Sequence, residues 1–166
     1  MLIDKKIVQY SPIILFVWLA RFNFSWEIAF LCSGAIAIIL LGVLLFLQRL
    51  LDRFVIAVYC FLIAGAVMIV GNIVFLQNVY EYFMQAMLPF WLFLVGLIST
   101  LVTKEGFIGV VSKQREKVYL YSWYLVGASA LAFGFSFLFK GNMIIAGMVP
   151  FILLKILQAK LQKLAQ

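Results

Sequence analysis

Histidine is absent from this sequence, and only six carboxylates and two cysteines occur among its 166 residues. Without imidazole, and with so few carboxylates, most general acid–base chemistry and most transition-metal sites lack their usual parts. Charged residues make up only 11% of the chain, against about 25% in a soluble domain. No polar stretch is long enough to form a second domain, so residues 1–166 read as a single integral membrane domain. There is no glycine-rich phosphate loop, no Gly-x-Ser-x-Gly elbow, no acidic cluster for a lipid phosphotransferase, and no Ser/His or Cys/His pair. An enzyme is therefore not expected, and neither a cofactor nor a bound metal.

What the chain has in quantity is apolar surface: 67% of its residues, with a mean hydropathy of +1.17. A soluble fold of this length could not hide so much. The composition predicts an all-α, polytopic transmembrane helix bundle.

A spanning helix needs about 20 mostly apolar residues. Ile28 to Gln48, Phe54 to Leu76, Phe83 to Thr103 and Val118 to Phe139 satisfy that requirement. Met143 to Leu157 is shorter but runs into a helix-compatible tail. Ile7 to Phe24 is interrupted by Gln9, Tyr10, Ser11 and Pro12. It lacks a small-x-small cleavage site at Ala20-Arg21-Phe22-Asn23, so it reads as a retained segment rather than a cleaved signal. This makes about six spans, or five if the first segment does not cross.

Basic residues set the orientation. With six spans and the N-terminus inside, Lys5, Lys6, Arg49, Arg53, Lys104, Lys113, Arg115, Lys117, Lys155, Lys160 and Lys163 face the cytoplasm. Only Arg21 and Lys140 lie outside, a split of eleven against two. This bias predicts cytoplasmic positions for both termini. Trp26, Tyr80 and Tyr82 would form one aromatic belt, and Tyr119, Tyr121, Trp123 and Tyr124 the other.

All six acidic residues lie in termini, loops or span ends, which argues against a proton-coupled pump or a voltage sensor. Cys32 and Cys60 fall in consecutive antiparallel spans at depths roughly 15 Å apart. That exceeds the Cα separation of about 7 Å that a disulfide can bridge. Asn72, beside Gly71, is the candidate for a neutral polar site, with Ser99 and Thr100 in the next span.

The segment from Lys104 to Lys117 reads as a positive loop with membrane-dipping side chains at Phe107, Ile108, Val110 and Val111. Lys113, Arg115 and Lys117 are its candidate contacts for anionic lipid headgroups or a partner. Residues 155–166 form an amphipathic C-terminal helical extension, with Leu157, Leu161 and Leu164 opposite Lys160 and Lys163. Neither stretch is basic enough to suggest nucleic acid. In the fifth span, two small-residue rows, Ala128, Ala132 and Ser136, and Gly127, Ala130 and Gly134, form a face suited to helix packing, within the chain or in a homo-oligomer.

The chain resembles the intracellular septation protein A family, the YciB-type bacterial inner-membrane proteins. The resemblance is carried by Tyr82, Pro89, the apolar run to Thr103, then Lys104 and Phe107. Gly147, Val149, Pro150 and Gln158 carry it in the last span, and Pro12, Ile13, Ile14 and Phe16 near the start. The chain departs from the family at Leu88 and Phe90, where Lys and Thr are usual, and in a longer interval between Phe139-Lys140 and Gly147. The resemblance implies residence in the bacterial inner (cytoplasmic) membrane. It also implies a non-enzymatic part in envelope integrity or septation, through lateral contacts with other envelope or division proteins. A small transporter or lipid-handling carrier is the alternative.

Overall fold

The computed structural model describes residues 5–22, 24–47, 52–111, 114–139 and 141–165. Among them are seven α-helices and no strand: α1 (Lys5–Arg21), α2 (Trp26–Phe46), α3 (Arg53–Val70), α4 (Val74–Phe83), α5 (Met87–Val102), α6 (Arg115–Leu138) and α7 (Val149–Ala165). A short 3-10 turn at Met84–Ala86 precedes α5, and a π-helical turn at Met143–Met148 precedes α7. Helices α2, α3 and α6, and residues 144–165, are each long and apolar enough to cross a membrane; α4 and α5, sharply bent at the break between them, pass together as one broken span or a re-entrant loop, which makes four or five candidates.

The contacts group into two units. The first comprises residues 1–51 and 58–81, the second residues 52–57 and 82–166.

In the first unit α1 packs on α2. Helix α1 continues through Pro12, which cannot donate to the carbonyl of Val8; the Ser11 hydroxyl donates to that carbonyl instead, at 2.8 Å. Its 17 residues span about 25 Å, short of a hydrocarbon core of about 30 Å. Helix α2 buries Ala29, Ser33, Gly34 and Ala37, a stripe at helical spacing that lets backbones approach closely. A Cβ on Gly34 would fall 2.5 Å from that of Ala66, and one on Gly65 would fall 2.3 Å from the Phe30 ring. Phe30 is the hub of an aromatic core with Phe16, Phe61 and Tyr80, at centroid distances of 4.7, 5.2 and 5.7 Å. Tyr80 is thus buried, donating its hydroxyl to the Phe61 carbonyl at 3.1 Å, and does not belong to the predicted outer belt.

The span predicted from Phe54 to Leu76 stops at Val70. Asn72 adopts a left-handed backbone with φ +47°. The amide of Ile73 donates to the Met68 carbonyl and that of Asn72 to the Ile69 carbonyl. These two bonds form a Schellman cap, a helix stop that requires a residue tolerant of positive φ.

In the second unit α5 packs on α6, and α6 on α7. Pro89 sits in the first turn of α5, where its missing N–H leaves no bond unmade. Phe83 gathers Phe90, Phe133 and Phe137 at 5.6 to 6.5 Å. The buried stripe of α6 is Val118, Ser122, Leu125, Val126, Ser129 and Ser136. The hydroxyls of Ser129 and Ser136 donate to carbonyls one turn earlier, at 2.6 and 2.7 Å, so each is satisfied inside its own helix.

Candidate functional site

The second unit carries a polar cluster where the start of α3, the loop after α5, and α7 meet. Asp52 precedes α3 and accepts from the Phe54 amide at 3.0 Å, an N-terminal cap. Its carboxylate also pairs with Lys155 and accepts from Gln158 Nε2 at 3.3 Å. Lys155 Nζ in turn donates to Gln158 Oε1 at 2.8 Å and lies 4.8 Å from the centre of the Phe54 ring. Gln158 is only 2% exposed, so its amide needs both partners. Beside it, Arg53 and Glu105 pair at 2.7 Å.

These contacts hold the loop at 103–111 in a defined shape. Gly106 and Gly109 take left-handed backbones with φ +59° and +68°, and a Cβ on Gly106 would collide with Ser122 Oγ at 2.1 Å. The turn inserts Phe107, fully buried and stacked on Phe54 at 5.4 Å. Gly96 makes room for that ring: a Cβ there would lie 2.6 Å from it. Gln162 donates to the Ile108 carbonyl at 2.6 Å, and Ser122 Oγ accepts from the Ile108 amide at 3.4 Å. Phe107, Ile108 and Val110 therefore point into the protein and not into lipid as expected; of the four, Val111 alone is exposed.

An open cleft of about 450 Å³ lies between the last turn of α5 and the first turns of α6, with Gly106 of the loop also lining it. Leu101, Val102, Lys104, Arg115, Glu116 and Tyr119 are among its lining residues. Neither Lys104 nor Arg115 has an ion-pair partner among the described residues, and Glu105, next to Lys104, is engaged by Arg53.

The structure scatters the residues predicted as sites. Arg115 lines the cleft; Lys117 is exposed outside it; Lys113 lies outside the described residues. Gly127, Ala130 and Gly134 are exposed on α6, and a Cβ on either glycine would meet nothing within 4 Å. Among the described residues, the buried face of α6 is the serine-bearing stripe and not this row. Asn72 is exposed and acts as a helix stop, with Gln77 Nε2 reaching its Oδ1 at 3.5 Å. The hydroxyls of Thr100 and Thr103 donate to the Gly96 and Ser99 carbonyls of α5, both at 2.8 Å.

Asp52 and Gln162 escaped the sequence reading, and Gln158 entered it only through the family resemblance. The available signal was Gln158, a polar residue between Leu154 and Leu161 on one stripe of α7. Cys32 is exposed and Cys60 half-buried, both as free thiols. Among the described residues no three His, Cys, Asp or Glu side chains converge as metal ligands would. No family model, curated protein or solved structure matches the chain.

Proposed function

We propose that this is a non-enzymatic, multi-pass protein of the bacterial inner membrane that supports envelope integrity or septation through contacts in the bilayer plane, with both termini in the cytoplasm, an orientation in which the 17-residue α1 is a sixth crossing in a locally thinned bilayer. One observation supports lateral contact above all: the open row of Gly127, Ala130 and Gly134 on a 24-residue apolar helix. In lipid, apolar surface alone does not draw helices together, whereas small residues let a second backbone come close enough for dispersion contacts to accumulate. Among the described residues nothing comes within 4 Å of a Cβ at Gly127 or Gly134, which supports contact with a neighbouring protein or a second copy. The eleven-to-two distribution of basic residues supports the orientation, and the resemblance to septation proteins supports the process.

The carrier reading has less support, because Asn72 serves as a helix stop and Thr100 donates its proton within α5. Deletion and complementation in the source bacterium test the proposal. Loss of the protein should lengthen cells or make the envelope permeable. The wild type and Phe135→Leu should restore both properties, and Gly134→Leu should not. A deletion strain with normal division and an intact envelope would refute the proposal.

A further inference from the structure

We propose that the cleft between α5 and α6 is a binding site for one anionic glycerophospholipid, with the phosphodiester held by Lys104 and Arg115. The cleft has two chemically distinct ends. Leu101 and Val102, on the last turn of α5, are 62% and 76% exposed and offer an apolar wall to an acyl chain. Lys104 and Arg115 stand at the polar end, and neither is neutralised within the described structure.

The threonine hydroxyls cannot compete for a phosphate, since Thr100 and Thr103 donate their protons to carbonyls of their own helix. That leaves the ammonium, the guanidinium and the Tyr119 hydroxyl as the side-chain donors lining the site. Arg suits a phosphate because its planar fork can donate two parallel bonds. Glu116 also lines the cleft, so two cations and one carboxylate leave a single positive charge. A phosphodiester carries one negative charge and matches it, whereas free phosphate near neutral pH is more highly charged. Glu116 can accept from the hydroxyls of a glycerol headgroup. The Arg53–Glu105 pair fits the same arrangement, because it engages the carboxylate next to Lys104. The inference rests on a membrane location alone and is independent of any role in septation.

The test uses the full chain in phosphatidylcholine nanodiscs containing a minor share of phosphatidylglycerol, with native mass spectrometry counting the lipid retained on release. One phosphatidylglycerol per chain should stay bound. Lys104→Gln with Arg115→Gln should weaken retention about thirtyfold, from roughly 1 kcal/mol per membrane-proximal cation. Lys104→Arg with Arg115→Lys should keep it, separating lost charge from lost folding. Lys160→Gln with Lys163→Gln removes equal charge elsewhere and should leave retention unchanged. The site is refuted by equal retention of phosphatidylcholine or of added phosphatidylethanolamine, by displacement with inorganic phosphate, or by the same loss in the Lys160/Lys163 variant.

Discussion

Gln158 donates to Asp52 across 106 positions of sequence, at 3.3 Å, and this bond fixes the start of α3 against the middle of α7. Asp52 simultaneously caps α3 and pairs with Lys155. Asp52→Ala should therefore lower stability in detergent by about 2–3 kcal/mol, the sum of a lost cap and a buried amide with one partner fewer. Asp52→Asn keeps the cap and should cost about half as much. Thermal unfolding followed by circular dichroism checks both values. Equal losses would mean that the cap contributes little.

Gly96 and Gly134 lie on apolar helices but in opposite surroundings. Gly96→Ala drives a methyl group into the fully buried Phe107 ring and should destabilise by about 1–3 kcal/mol. Gly134→Ala meets open space and should be neutral or stabilise by up to about 1 kcal/mol through helix propensity. The melting temperatures of the two purified variants should move in opposite directions, or one should fall while the other holds.

Asn72 gives a third contrast. Asn72→Gly suits the left-handed cap and should leave stability within about 0.5 kcal/mol of wild type. Asn72→Val places a β-branched side chain at positive φ and should cost about 1–2 kcal/mol or more. Hydrogen exchange at Asn72 and Ile73, whose amides make the cap, should quicken in the valine variant alone.

Hydropathy located the long apolar helices because composition along a run is all that a membrane span requires; α2 and α6 start and stop within three residues of their expected ends. It could not see the end of α3, since Gly71 and Asn72 lie inside a run that stays apolar to Leu76. That helix is stopped by backbone geometry. The loop after α5 misled for a related reason. Its charges mark a surface segment, but two glycines at positive φ and a third in α5 let Phe107 fold inward. On α7, Leu157, Leu161 and Leu164 suggested one face. The buried stripe is Leu154, Gln158, Leu161 and Ala165, because Asp52 and Lys155 satisfy the Gln158 amide and allow it to be buried. Long-range partners of this kind leave no periodic trace in sequence.

Orientation is open to a separate check. Reporter fusions at the N-terminus and after Gln166 should both report cytoplasm, as the positive-inside distribution predicts for six crossings. A periplasmic N-terminus with a cytoplasmic C-terminus would mean that α1 does not cross.

Lateral contact through α6 is the central claim, and site-specific photo-cross-linking in intact cells tests it most directly. A photo-reactive phenylalanine analogue replacing Ala130 faces outward from the open row, and the same analogue replacing the exposed Leu131 reports the adjacent surface. The account predicts a discrete protein adduct from position 130, either a second copy or another membrane protein, and a weaker or different pattern from position 131. Lipid adducts alone at position 130, or identical protein patterns at both positions, would contradict it.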